Sequence, residues 1–278
     1  MRILILAGAI ACTAVAFPAY AQSAGEDRNE DFAILGVAAT LVPDYEGSSD
    51  YRIAPAPGGF GQVGGVGFQL AGNRLSFDLM PDLLDSGWKI QAGPMGAINF
   101  NRTSTKAIDN AQVASLGKIG TAVELGGFVG IAKTGVVTSD YDRLSVTLSY
   151  RHDVSGVHDS GVWTPTLAYM TPLSRKAMVS VFFSADHVGD GYADTYFSIS
   201  PAQSVTSGLP AYAARGGWKN WGTGIGGAYA LTGDLTGGLL LVGGVGYRHL
   251  LGDFADSPVT MVGSADQWLG VAGLAYSF

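Results

Sequence analysis

Along most of this chain apolar and polar residues alternate with a period of two, the mark of a half-buried strand rather than of a helix. Leu144, Val146, Leu148 and Tyr150 fall on one side of a segment whose other side carries Ser145, Thr147, Ser149 and Arg151. Val123, Leu125, Val129 and Ile131 share a face opposite Ala122, Glu124, Gly126, Phe128 and Gly130. The last segment sets Trp268, Gly270, Ala272, Leu274, Tyr276 and Phe278 together. Helical spacing never persists for three turns. The alternation predicts about twelve strands: 32–42, 62–71, 73–80, 88–100, 119–132, 142–152, 161–171, 175–186, 192–200, 219–231, 236–249 and 266–278. Most are near the ~9–11 residues with which a tilted strand crosses a hydrocarbon layer, and bacterial single-chain barrels have an even count.

The first residues follow a different grammar. Met1-Arg2 gives a positive start, Ile3 to Phe17 is an apolar run, Pro18 breaks it, and Ala19-Tyr20-Ala21 is small-x-small. This is a secretory signal, with cleavage expected between Ala21 and Gln22. The rival reading, a lipoprotein acylated at Cys12, has a poor lipobox in Ala9-Ile10-Ala11 and too short an apolar core before it. Cleavage removes the one cysteine, so the mature chain has no disulfide or thiol chemistry. It also removes Arg2, taking the net charge from −7 to −8, and a chain this acidic has no broad attraction for nucleic acid. Residues 22–31 then form a short acidic periplasmic leader.

Glycine contributes 41 of 278 residues and charged residues only 14%, against about 25% in ordinary soluble proteins. Yet no stretch after residue 21 offers the ~18 apolar residues a membrane helix needs. The sheet must therefore cross lipid as a closed antiparallel barrel over 32–278, because an open edge would leave N–H and C=O groups unpaired in the bilayer. Trp88 and Phe100 bracket one strand, and Trp221, Trp268 and Phe278 lie at strand ends, as aromatic girdles do. A soluble lipocalin-like barrel would carry far more charge outside. A final strand ending in Tyr276-Ser277-Phe278 looks like the signal read by the barrel-assembly machinery.

With both chain ends in the periplasm, loops 43–61, 81–87, 133–141, 171–175, 200–218 and 250–265 are expected outside, and 101–118 and 153–160 in the periplasm. Barrel closure sets the first and last of the outer loops side by side, so Asp44, Glu46, Asp253 and Asp256 are expected on one rim, attracting cations or solubilising the loops. Glu124, interior by alternation, is either a lumen-lining charge or half of a buried ion pair. Other motifs fail on context. Gly222-Thr-Gly-Ile-Gly-Gly227 matches GxGxxG, but no helix follows to hold a pyrophosphate. His158-Asp159-Ser160 holds the letters of a hydrolase triad, but adjacent residues cannot align for the relay. The histidines (152, 158, 187 and 249) have no metal-binding spacing. No cofactor is expected.

At Pro43-Asp-Tyr-Glu-Gly-Ser48, Gly93-Pro94, Val123-Glu-Leu-Gly126, Tyr196-Phe197, Leu250-Leu-Gly-Asp253 and Asp256-Ser-Pro258 the chain resembles the MltA-interacting protein (MipA/OmpV) family. The resemblance spans nearly all the mature chain, although Ser198-Ile199 stands where Gly-Val is expected. It implies an outer-membrane protein, surrounded by lipid, that scaffolds a lytic transglycosylase and a murein synthase. Docking is then expected at the turns 101–118 and 153–160. Other members are associated with adhesion and antibiotic susceptibility. A channel for small solutes is the other reading, and a lipid-cleaving hydrolase a third, for which no Ser–His–acid arrangement can be read.

Overall fold

The computed structural model describes residues 31–81 and 87–278. The signal segment, its Ala21–Gln22 cleavage point and all of the acidic leader but Asp31 lie outside the described residues. The alternation closes into one antiparallel barrel of twelve strands in sequence order. They are β1 (Phe32–Pro43), β2 (Tyr51–Val63), β3 (Val66–Ala71), β4 (Arg74–Asp78), β5 (Trp88–Asn99), β6 (Ala122–Thr134), β7 (Arg143–Asp153), β8 (Gly161–Ser174), β9 (Ala177–Val188), β10 (Gly217–Ala230), β11 (Gly238–Leu250) and β12 (Asp266–Ser277). The seam pairs β1 with β12 from Ile34↔Ser277 to Leu41↔Gly270. Phe278 adds one more bond there, its N–H donating to Ala33 O.

Each strand sends one set of side chains in and the other out. In β7, Ser145, Ser149 and Arg151 are buried in the lumen while Val146, Leu148 and Tyr150 are exposed. Exposed Val37, Ile53, Val129, Ile131, Leu167, Val181, Phe183, Ile225, Leu241 and Leu274 continue that apolar surface round the wall. So large an apolar exterior fits lipid, not water. Around one end its edge is aromatic. Tyr150 lies 4.5 Å from Trp163, His187 5.3 Å from Trp218, Trp221 5.4 Å from Tyr247, and Tyr247 5.1 Å from Trp268.

The expected and observed counts agree through two errors that cancel. Tyr51–Val63, expected as loop up to residue 61, is β2. Its Pro55 and Pro57 argue against a central strand, but Pro55 sits where β2 pairs with β1 alone, and Pro57 at the end of that stretch only accepts, from Gly72 N–H. Residues 192–200, expected as a strand, instead fall mostly in helix α2 (Asp190–Phe197), which buries Tyr192, Ala193, Tyr196 and Phe197 on one face. Over so short a segment, i and i+4 satisfy both periods.

The missed strand also inverts every loop between it and the false one. Connections 44–50, 100–121, 154–160, 189–216 and 251–265 share the end opposite the chain termini, here the capped end. Segments 101–118 and 153–160 therefore lie beside 43–50, not across the membrane from it, and 133–141 and 171–175 lie at the terminal end. After α2 the parity is restored, and 200–218 and 250–265 lie at the same end as 44–50.

Candidate functional site

The capped end is built from loops that fold inward. Between strands lie α2 and four further short helices. Numbered from the N-terminal one, α1 is Ala111–Ser115, α3 is Pro201–Ser207, α4 is Gly252–Ala255 and α5 is Pro258–Met261. Ser200 starts α3 with a capping box: its Oγ accepts from Gln203 N–H while the Gln203 side chain accepts from Ser200 N–H. Tyr192, Phe197 and Phe254 pack on Val162, Val188 and Leu250 at the strand ends. Tyr45, Val113, Leu116, Ile199 and Val259 form a second apolar cluster. Ser257 Oγ donates to Phe197 O at 2.6 Å, tying two loops together.

Beneath this cap the motif Pro43–Ser48 dips into the barrel. Its turn needs Gly47, whose φ is +100° and whose added Cβ would stand 2.6 Å from Thr260 Oγ1. Gln267 on β12 grips the turn from below. Its Oε1 accepts from Gly47 N–H at 3.2 Å and its Nε2 donates to Ser48 O at 2.9 Å. Asn101 Oδ1 accepts from Glu46 N–H at 3.1 Å. The Glu46 carboxylate then meets Lys219 Nζ at 2.8 Å, Arg248 Nη1 at 3.5 Å and the Tyr192 hydroxyl at 2.7 Å.

From Lys219 the network runs on around the lumen. Lys219 lies 3.7 Å from Asp186, which accepts from Thr164 Oγ1 at 2.7 Å and Asn220 Nδ2 at 3.3 Å. Arg151 donates to Thr164 Oγ1 at 3.2 Å and pairs through Nε with Glu124. Glu124 also meets Asn99 Nδ2 at 3.3 Å and His158 Nε2 at 3.4 Å. Every strand from β5 to β11 thus contributes a polar side chain to one buried layer. A bulge between Trp218 and Asn220 makes this possible, since the extra residue lets Lys219 and Asn220 both bury. Taking such charges out of water costs several kcal/mol each, and only close pairing offsets it.

Two acids two positions apart behave oppositely. Burial would raise the Glu46 carboxyl, but Lys219 and Arg248 hold it below its ordinary value. Asp44 is pushed up, because burial dominates and the Asp109 N–H it accepts at 3.2 Å only partly offsets it. Burial also pushes the Tyr45 hydroxyl up to about 12, so it stays a neutral packing group.

The expected rim of four carboxylates does not form. Asp44 and Glu46 are turned inward and buried. Asp253 is half-buried and accepts from Arg215 N–H at 2.9 Å, and only Asp256 is exposed. Glu124 is 2% exposed and ion-paired to Arg151. Tyr276 and Phe278 are exposed on the outer wall, 4.8 Å apart. His158 bonds Glu124 while exposed Asp159 pairs with His152 at 3.4 Å, so 158–160 forms no relay. Gly222–Gly227 lies within β10. Among the described residues no group of three or more His, Cys, Asp or Glu is placed to hold a metal. Sequence reading missed Lys219, Arg248 and Asp186. Their signal was charge at inward positions of otherwise apolar strands.

The family model described as MltA-interacting protein MipA matches residues 35–278. Comparison with curated proteins finds no match. Among solved structures, OmpT of Vibrio cholerae is similar at 8% identity and a TM-score of 0.36, covering 90% of this chain and 97% of that one. A Pseudomonas aeruginosa FadL homologue aligns at 11% identity and a TM-score of 0.35, covering 90% and 89%. The Pseudomonas putida toluene transporter TodX aligns at 12% and 0.36, covering 89% and 88%.

Proposed function

The chain belongs to the MltA-interacting protein MipA family, and from that premise we propose that it is a plugged outer-membrane barrel that docks a lytic transglycosylase. The observation that carries this reading is the buried ionic layer under the capped end. Paired side chains from β5 to β11, with the turn 44–48 seated on them, occupy the lumen where polar solutes would have to pass. That argues against the channel. The protein's work is then done by its surfaces, without chemistry of its own.

With the chain ends in the periplasm, the surface facing murein is the terminal end, not the segments 101–118 and 153–160 expected from sequence. One of its turns, 135–142, is organised around Asp142. There Asp142 accepts from Val137 N–H at 2.8 Å and from the Tyr169 hydroxyl at 2.7 Å, and these bonds hold its carboxyl well below the usual range despite burial. The turn presents Val137 and Tyr141 exposed, with exposed Leu173 at the same end. We infer that this apolar rim is the docking surface.

The test is co-purification of the nanodisc-embedded barrel with lytic transglycosylases from its own organism. Recovery of one, lost in Val137→Ser/Tyr141→Ser and kept when 101–118 is replaced, supports the reading. Loss on replacing 101–118 alone overturns the assigned surface, and recovery of no murein enzyme overturns the docking role.

A further inference from the structure

The wall of the barrel is not hydrogen-bonded throughout. β2 pairs with β1 over Tyr51 to Gln62, but with β3 only from Gly58 to Val63. The short β3–β4 hairpin ends partway up: Gly72 N–H donates to Pro57 O, and Ile98 N–H donates to Asn73 O. Above that point residues 51–56 of β2 pair with no second strand among the described residues. In an antiparallel strand alternate residues turn their polar groups to the same side, and Pro57 O meets the hairpin at Gly72 N–H, so residues 51, 53 and 55 face the gap. Pro55 brings no N–H to it, and Pro57 at its lower end has none to leave unpaired. An unpaired edge in lipid is costly through each orphan N–H and C=O, and Pro55 removes one of the donors here by covalent structure.

Directly inside this edge lies an apolar cavity of about 120 Å³. Ile34, Ala38, Val42, Phe60, Leu269 and Val271 line it, and it reaches the backbone at Pro57 and Gly72 where the pairing stops. Thr40, one of its few polar liners, spends its hydroxyl on Ala54 O at 2.8 Å. The ionic layer lies above, beyond Val42 and Leu269, which also line the small pocket around Glu46 and Arg248. The core of Met170, Met178, Leu235 and Leu240 closes it towards the chain ends. An apolar cavity of about 150 Å³ stays dry and accepts benzene, so this one matches a small hydrocarbon in size.

We propose that this cavity binds an uncharged hydrocarbon, a small arene or the end of an alkyl chain, admitted from the bilayer past the proline edge of β2. The ionic plug bars ions and polar solutes from the axial route, and the gap in the wall opens where only apolar molecules are found. This is separate from docking at the terminal end, and neither depends on the other.

Gly58 supplies a clean test. It lines the cavity, and a Cβ built there meets nothing nearer than Leu70 O at 3.9 Å, so Gly58→Leu fills the space without a clash at its first atom. Fluorobenzene is titrated into the nanodisc-embedded barrel and followed by ¹⁹F NMR. Wild type is expected to give a saturable, shifted resonance. Gly58→Leu and Ala38→Phe, each checked for an intact thermal unfolding transition, are expected to weaken binding at least tenfold. A second arm uses phospholipid with a diazirine at the acyl terminus. Labelling at Ala38 or Ala56 that falls in Gly58→Leu identifies the bilayer's own chains as occupants. Fluorobenzene binding without such labelling keeps the site and assigns it to free hydrocarbon. No saturable resonance in wild type, or equal binding in both filled variants, overturns the proposal.

Discussion

The two halves of the lumen are filled by opposite chemistries. Towards the chain ends Ile34, Met170, Met178, Leu235 and Leu240 pack as an ordinary apolar core. Towards the cap Glu46, Lys219, Arg248, Asp186, Arg151 and Glu124 fill it with charge. The apolar half is stable because it hides surface from water, and a defect there leaves a cavity. The ionic half is stable only while complete, because losing one member leaves its partner buried and unpaired. The first can be repacked piecemeal; the second stands or falls as a network.

The sharpest break in that contrast is Lys219→Met. It takes the Lys219 ion pair from Asp186 and leaves Glu46 with Arg248 as its cation, and is expected to cost about 3–5 kcal/mol, read as a lower unfolding temperature and faster proteolysis within 189–216. Glu46→Gln in the same chain should restore part of the loss, as coupled sites do. An unchanged midpoint in Lys219→Met would mean the layer is not cooperative.

Next in size is Leu240→Ala in the apolar half, 1% exposed in wild type. It is expected to cost about 3 kcal/mol, within the range for buried leucine truncation. Unlike Lys219→Met, its cost should not change between pH 4 and 8, as equilibrium urea unfolding at both values would show.

The pH dependence of the wild type sharpens the contrast further. Glu46 has a folded pKa below its unfolded value. Its contribution is therefore complete above the ordinary glutamate pKa and fades as pH falls below it, through the folded value. Acid should loosen the cap first, seen as hydrogen exchange rising in 44–50 before the β11–β12 pairing. Simultaneous loss would contradict a separate ionic half. The smallest effect is expected for Arg175→Ala. This side chain is 91% exposed and meets Asp234 at 3.3 Å on a terminal-end turn, and such pairs add little. Its midpoint should match wild type.

The same contrast explains what the sequence disclosed. Period-two alternation at Leu144–Arg151 and Val123–Ile131 requires only a strand and two unlike environments, so those elements and the barrel itself could be read directly. β2 could not, because Pro55 and Pro57 are placed by an edge that exists only once the β3–β4 hairpin is known to be short. α2 was hidden because Tyr192 and Tyr196 suit either period. Among the site residues, Glu124 was legible as interior, but its pairing with Arg151 depends on register, which alternation does not specify. Asp44 and Glu46 misled for a simpler reason. Acidic residues in a loop are usually solvated, and nothing local announces that Lys219 and Arg248 wait beneath.

The central claim, that the ionic layer closes the barrel, is tested most directly by planar-bilayer recording of the purified wild-type protein at neutral pH. The account predicts insertion, verified by protection of the strands from protease, with no steady single-channel conductance. A stable, reproducible conductance step from that inserted protein would contradict it.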